Sequence, residues 1–225
     1  MYWIELHIHT EIGSLDSTLN YEEMIKEYER IGVDGVCVTE HIKWRKLKKE
    51  EYESLYGAYE KGKDEKNIDI FPGAEVKLEN GHEYLVLGIK IPIELFGTDW
   101  DCAVEKIHSL GGIIIKSHPY REEDIVIPYD GIELYNFHSS TEKNMKTIEY
   151  SKKNNNIIEL VGCDAHSDDV TGMAITVLEN RPKDNIELIK MLKNEDVVEY
   201  IISGIELKKE DLNEKLFDGS INCRF

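Results

Sequence analysis

The stretch "IELHIHTEIGSLDSTL" places two histidines, His7 and His9, one residue apart at the end of the first apolar run. Side chains alternate between faces along a strand, so both imidazoles point the same way. Asp164 and His166, in "GCDAHSD", repeat that spacing after a later apolar run. Other β-rich runs end in groups of the same kind. "DGVCVTEH" delivers Glu40 and His41, "IFPGAEVKL" carries Glu75, and "GGIIIKSHPYR" delivers His118 with Arg121 close behind. "DGIELYNFH" delivers Glu133, Asn136 and His138. Any one histidine after a strand is ordinarily a hydrogen-bonding residue. A repeated gathering at one end of successive strands asks for a common cause, and metal ligation supplies it. His108, inside the helical "AVEKIHSLGG", reads as structural.

Imidazole and carboxylate without thiolate suit Zn, Mn, Fe or Co better than Mg or Ca. This many candidate ligands implies more than one ion, a cluster of two or three divalent metals. Ions ~3.5–4 Å apart clamp the attacking and leaving oxygens of a phosphoryl displacement.

The elements that must position these groups alternate. Strand-like runs fall at 3–8, 35–39, 68–76, 84–89, 113–115, 131–135, 157–161, 174–178 and 197–202. Helical patterns lie between several of them. "NYEEMIKEYERIG" sets Tyr21, Met24, Ile25 and Tyr28 on one stripe and ends in glycine, a normal helix stop. Comparable helices are expected near 50–63, 98–110, 141–154 and 184–194, and "KKNNN" at 152–156 reads as an exposed helix end. Strands alternating with helices predict βα units and a mostly parallel sheet. Ionisable groups at the strands' C-terminal ends favour a barrel over an open sheet, because that rim is where barrel active sites form.

A chain of 225 residues that is 41% hydrophobic can bury a substantial core, and it is expected to fold as a single domain over 1–225. The formal net charge of −18 opposes binding of long nucleic acid, which relies on phosphate neutralisation by Lys and Arg. It does not exclude a small phosphorylated ligand, since bound cations reverse the local field. The four cysteines, Cys37, Cys102, Cys163 and Cys223, form no close pair. Without a signal-like leader or an apolar run long enough for a bilayer, a cytoplasmic protein away from membranes is expected.

Taken in order, these motifs resemble the PHP family, named for polymerase and histidinol phosphatase. The family pattern opens with His-x-His, continues through a Ser/Asp segment and a helix, and reaches a strand ending in Thr-Asp-His. Here "HIHTEIGSLDSTLNYEEMIKEYERIGVDGVCVTEH" follows it, with Asp16 on the Ser/Asp segment and Glu40 where Asp is more usual. "PGAEV", "KSHPYR", "DGIELYN" and "GCDAHSDDVTGMAITV" match the later blocks, so the likeness covers about residues 4–180. It implies an α/β fold, a distorted (β/α)7 TIM-like barrel with a metal cluster at the C-terminal rim. It also implies that His7, His9, Glu75 and Asp164 hold one metal, and that Glu75 bridges to a second on His118. Asp16, His41 and His166 would hold a third. Many members carry a histidine at the position of Leu85 in "YLVLG", and the nearby Gly81-His82 nominates His82 for the second metal instead. The stretch between His9 and Asp16 is longer than usual.

The expected activity is a metal-dependent phosphoesterase acting on a small phosphomonoester through activated water. Asp164, His166 and Arg121 are its expected catalytic residues, and Arg121 is a second cation for the phosphoryl oxygens. His41 or His166 would relay the proton, Tyr120 and Asn136 would line the pocket, and His138 reads as a surface residue. Two other readings stand beside this one: a C–N hydrolase of the amidohydrolase type on the same metals, and a non-catalytic metal-stabilised binding module.

Overall fold

A computed structural model describes residues 1–121, 128–154, 156–194, 196–208, 211–217 and 221; Cys223 and Asn155 lie outside them. The strands are β1 (Tyr2–Ile8), β2 (Gly35–Val38), β3 (His41–Lys43), β4 (Asp69–Lys77), β5 (Glu83–Leu87) and β6 (Ile113–Lys116). They continue as β7 (Gly131–Asn136), β8 (Ile158–Gly162), β9 (Ala174–Leu178), β10 (Val197–Ile202) and β11 (Ile205–Leu207). The helices are α1 (Tyr21–Ile31), α2 (Lys49–Leu55), α3 (Gly57–Gly62), α4 (Trp100–Ser109), α5 (Thr141–Lys153), α6 (Asn185–Lys193) and α7 (Leu212–Phe217).

Local chemistry sets the helix limits. Asn20 caps α1 by accepting the N–H groups of Glu22 and Glu23, and Gly32, at φ 84°, ends it in the left-handed conformation glycine tolerates. Tyr21, Met24, Ile25 and Tyr28 are its buried stripe. Asp99, Ser140 and Asp184 cap α4, α5 and α6 in the same way. The helix expected over 50–63 divides at Tyr56 into α2 and α3.

One curled sheet runs β11-β10-β9-β1-β2-β4-β5-β6-β7-β8, with β3 paired to β4 beyond β2. Because β2 pairs with Asp69–Pro72 and β3 with Glu75–Lys77, the two act as one strand broken at Thr39 and Glu40. The barrel staves are therefore β1, β2 with β3, β4, β5, β6, β7 and β8, seven in all, as the TIM-like expectation requires. The sheet is less parallel than the sequence suggests. β5 runs antiparallel to both β4 and β6. The connection at 78–82 is a tight hairpin, far too short for the dozen or more residues a parallel crossover needs.

Closure occurs at β1, which forks. Its first half pairs antiparallel with β9, opening the seam, while its end makes a parallel bridge from Ile8 to Ala165 past β8. Inside, Ile4, Leu6, Leu85, Leu87, Ile115 and Leu160 fill the barrel, and Leu188, Ile189, Met191 and Leu192 of α6 pack against them. No helix among the described residues is long and apolar enough to cross a membrane.

Candidate metal centre

Two bulges turn the site residues inward. Glu5 pairs with Val36 and Ile8 with Val38, so β1 carries one residue more than β2 over that interval. Ile4 and Leu6 thereby join the barrel core, and after the bulge His7 and His9 face the same interior. Glu5 holds the bulge. Its Oε1 accepts the N–H groups of Leu6 and His7 at 3.2 Å each and of Cys163 at 3.1 Å, sewing β1 to β8. Burial pushes its carboxyl up to about 8. β7 has a matching irregularity between Glu133 and Tyr135, which lets Glu133 and Asn136 both reach the centre. Beyond β8, the Asp164 N–H donates to the His7 carbonyl (2.9 Å) and the His9 N–H to the Ala165 carbonyl (3.0 Å). That short pairing sets Asp-x-His beside His-x-His. Asp164 takes φ 57° and His118 φ 27°, strained values that non-glycine residues keep chiefly where the surroundings over-determine them.

His7, His9, Glu75 and Asp164 converge in a buried group. His7 Nε2 is 3.3 Å from Glu75 Oε2 and 3.5 Å from Asp164 Oδ1. His9 Nε2 is 3.4 and 3.2 Å from the same two atoms. A tetrahedron of ligands with bonds of ~2.1 Å has edges of roughly 3.4 Å. These four side chains fit a divalent ion. His7 Nε2 is buried and makes no hydrogen bond, which is costly unless a cation takes it.

Two further groups share members with the first. Glu75 Oε1 lies 2.8 Å from His118 Nε2, which is 3.4 Å from Glu83 Oε2. His9, His41 and His166 form the other, with the Nε2 atoms of His41 and His166 3.0 Å apart. Asp16 Oδ2 stands 3.5 Å from His41 and 3.9 Å from His166, so the longer loop after His9 still brings it to the edge of that group. His41 also reaches Glu75 Oε2 through Nδ1 at 2.9 Å.

Surrounding residues orient these ligands. Glu133 Oε1 accepts from His7 Nδ1 at 2.7 Å, leaving Nε2 for the centre. His166 Nδ1 donates to the Asp164 carbonyl at 2.8 Å with the same effect. Arg121 Nη2 donates to Asp164 Oδ2 (2.6 Å) and Asn136 Oδ1 (2.9 Å). Glu40 does not face the centre. It accepts from Thr10 N–H, the Thr10 hydroxyl and the Ser14 hydroxyl, and so locks the loop after β1. Gly13 packs so tightly on Glu40 that a Cβ would lie 2.4 Å from its Cγ. Burial pushes the Glu40 carboxyl up to about 7.

The electrostatics separate the histidines. Burial opposes charge on His7, but Glu133, Glu75 and Asp164 hold its pKa well above the ordinary imidazole value. Burial, then neighbouring His41, pushes His9 well below it. Although burial disfavours their charge, His7 and His118 keep Glu75 well below the usual carboxylate range, and His7, His9 and Arg121 do the same for Asp164. The centre thus offers ionised carboxylates and a neutral His9. His7 holds a proton that an incoming cation would displace.

His82 is not brought to the centre. It precedes β5 with its ring beside Tyr84, while Glu83, one residue on, joins Glu75 and His118. Leu85 lies directly opposite Glu75, so the position that often carries histidine is apolar here and Glu83 approaches from the next step along that face. His138 is half-buried rather than on the surface, its ring 6.3 Å from that of His166. The Tyr120 hydroxyl lies in the field of Tyr150, Lys146 and Glu149, on the α5 side. His108 pairs with Asp130 at 2.7 Å, as a structural residue would.

The PHP domain family matches residues 5–214, and the chain belongs to that family. No curated protein sequence matches it. Among solved structures it is similar to a two-domain protein from Bacteroides vulgatus ATCC 8482 that contains a PHP-like metal-dependent phosphoesterase. The TM-score is 0.68 and the identity 18%, over 96% of this chain and 69% of that one. It is also similar to a metal-dependent phosphoesterase from Bifidobacterium adolescentis ATCC 15703, with TM-score 0.50 and 11% identity over 84% of this chain and 95% of the other. At these identities the likeness is one of fold.

Proposed function

We propose that this chain is a metal-dependent phosphoesterase that releases phosphate from a small phosphomonoester. The observation that carries the proposal is the buried His7, His9, Glu75 and Asp164 group, with its His7 Nε2 that makes no hydrogen bond and two flanking groups that share Glu75 and His9. Two or three ions of the Zn, Mn or Fe kind would be held there: one by His7, His9, Glu75 and Asp164, one by Glu75, His118 and Glu83, and one by Asp16, His41 and His166. When bound, such ions supply Lewis-acid polarisation and a water acidified to near neutral pH.

Asp164, His166 and Arg121 are the proposed catalytic residues. Arg121 tethers to Asp164 and Asn136 through one nitrogen, and its other N–H groups, which meet no side-chain partner among the described residues, would grip phosphoryl oxygens. Asp164 is held by that tether so that Oδ1 faces His7 and His9. The side chains of His41 and His166 are 31% and 27% exposed, and either can carry a proton to the leaving oxygen when it is not committed to an ion. The acidic surface turns away polymeric nucleic acid, and the dispersed cysteines suit a reducing cytoplasm.

The test is phosphate release from a broad phosphomonoester panel by protein stripped of metal and reloaded separately with Mn or Zn, beside Asp164→Asn. Turnover that requires metal and is lost in the variant supports the reading. Ammonia release from amides without phosphate release would replace it with C–N hydrolysis. Tight metal retention with neither activity would make the chain a binding module.

A further inference from the structure

Lys116 is buried as fully as the core aliphatics, at 1% exposure. Lysine is almost never so deeply buried unless its ammonium is paired or hydrogen-bonded. It is the last residue of β6, and Tyr84 of β5 lies opposite it in the antiparallel register. Leu85 and Ile115, the next pair along, fill the barrel interior, so Lys116 and Tyr84 leave their strands on the outer face. The Lys116 Nζ lies over the Tyr84 ring, 5.4 Å from its centroid. From there it turns back to the strand ends, donating to the Glu83 carbonyl at 3.1 Å and to the Ser117 carbonyl at 3.0 Å.

Those two carbonyls stand where the β5–β6 ladder ends. The Ser117 N–H still reaches the Glu83 carbonyl at 3.3 Å, and the chain then turns at His118 with φ 27°. The Ser117 carbonyl and the His118 N–H belong to one peptide plane. Lys116 holds its carbonyl edge, and Glu133 Oε2 holds its N–H edge at 2.7 Å. A non-glycine residue keeps a positive φ where its surroundings over-determine it, and this double grip does so. The result is that His118 Nε2 stands 2.8 Å from Glu75 Oε1 and 3.4 Å from Glu83 Oε2. The same ammonium grips the backbone of Glu83, so it ties together two of the three members of that group.

We propose that Lys116 is the positioning residue for the ion of Glu75, His118 and Glu83: its ammonium joins the backbones of Glu83 and His118 so that their side chains meet at ligand spacing. The inference rests on the metal-centre reading of that group and adds what builds it. The charge of Lys116 is not what serves the ion, since a cation two residues from His118 repels another cation nearby. Loss of that charge alone would strengthen binding of the ion. Loss of the grip on the two carbonyls weakens it, so the sign of the change separates the two roles.

The experiment is titration of the metal-stripped full chain with Mn(II), followed by calorimetry and by electron paramagnetic resonance, for the wild type, Lys116→Met and His118→Gln. His118→Gln removes a ligand of this ion and so defines its heat of binding and its share of the spin-coupled signal through Glu75. Lys116→Met nearly keeps the side chain's length and loses its donors. It is expected to bind this ion about 10–100-fold more weakly, the range for lost support of a ligand, and the His7, His9, Glu75 and Asp164 ion as the wild type does. At concentrations that couple the wild-type ions it should show the signal of His118→Gln. Lys116→Gln, whose shorter amide cannot span both carbonyls, should weaken the same ion and serves where the methionine variant does not fold. Affinity equal to or above that of the wild type in a folded variant overturns the positioning role. Equal loss of every ion, or failure of both variants to fold, also overturns it and makes Lys116 a residue of the fold at large. A wild type that His118→Gln matches in heat and signal holds no ion there, which overturns the inference and leaves the phosphoesterase reading on the remaining ions. A wild type that binds no Mn(II) overturns both.

Discussion

Glu133→Gln separates a residue that orients a metal ligand from one that merely fills space. Glu133 receives three donors on two oxygens: His7 Nδ1 at 2.7 Å on Oε1, and the His118 N–H at 2.7 Å and Asn136 Nδ2 at 3.0 Å on Oε2. Only a carboxylate satisfies all three. In glutamine one oxygen becomes NH2. If that group faces His118 and Asn136, a donor meets two donors, and each buried group left unsatisfied costs about 1–3 kcal/mol. If it faces His7, the imidazole must accept at Nδ1 and carry its proton on Nε2, the atom turned toward Glu75 and Asp164. Either outcome disables His7 as a ligand or strains its support. Loss of such an outer carboxylate typically lowers metal affinity by ~10–100-fold, about 1.4–2.8 kcal/mol. The assay is competition against a chromophoric chelator near neutral pH, with the metal-free melting temperature of both proteins as the control for folding. Unchanged affinity in Glu133→Gln would refute the orienting role. A lower metal-free melting temperature with intact affinity would make Glu133 a packing residue only.

Four further outcomes follow from the same geometry. Glu83→Gln should reduce the number of metal equivalents retained after gel filtration, whereas His82→Gln should not; the opposite result would restore His82 as the ligand. For each ion bound, metal at about 100 times its dissociation constant should stabilise the fold by about 2.7 kcal/mol, roughly 5–10 °C in melting temperature for a chain of this size, and a smaller shift per ion would mean that the ions bind the unfolded chain as well. Between pH 6.5 and 9 the metal-free protein should lose stability. His7 and His41 have raised pKa values, so the stability they add is complete below the unfolded value and lost as pH rises through the folded one, and the raised carboxyls of Glu5 and Glu40 act in the same direction. The depressed His9, Glu75 and Asp164 confine their opposite slope to lower pH, so a melting temperature rising over this window would contradict the argument. Maleimide labelling of the native protein should reach Cys102 and spare buried Cys37, whose thiol burial pushes up to about 12, and buried Cys163.

Much of the centre was legible because it depends on spacing within single strands. His7 and His9, and Asp164 and His166, share faces by the period of two, and both pairs reach the centre. The apolar runs marked each of the strands that serve as staves, while their number, seven, was implied by the family resemblance. What could not be read depends on relations between strands. β5 is buried on both faces, so "YLVL" has no alternation to tell whether His82 or Glu83 points inward, and only its register against β4 decides. The bulges in β1 and β7 leave no mark in composition, yet without them Leu6 and His7 could not both face the barrel interior. Glu133 was visible at the end of its strand, but its service to both His7 and His118 needs three elements in place. Glu40 occupied a ligand-like position and instead holds the loop, because its side chain turns toward Thr10 and Ser14.

The charge of the centre explains why folding and metal loading should be linked rather than merely concurrent. Glu75, Asp164 and Glu133 are buried within hydrogen-bonding or ion-pair distance of His7, and Arg121 is the permanent cation that touches this set. Buried carboxylates so close together cannot all stay ionised without positive charge among them. In the metal-free chain that charge comes from protonated His7, which is why its pKa stands high despite complete burial. A divalent ion brings more charge to the same place and needs His7 neutral, so loading exchanges a proton for the metal. Metal affinity should therefore climb as pH rises toward the folded pKa of His7 and level off beyond it. Proton release measured calorimetrically in buffers of different ionisation enthalpy gives the check. Glu75→Gln removes one of the charges that hold the proton, and it should reduce the protons released per ion bound; release unchanged in that variant would place the exchanged proton elsewhere.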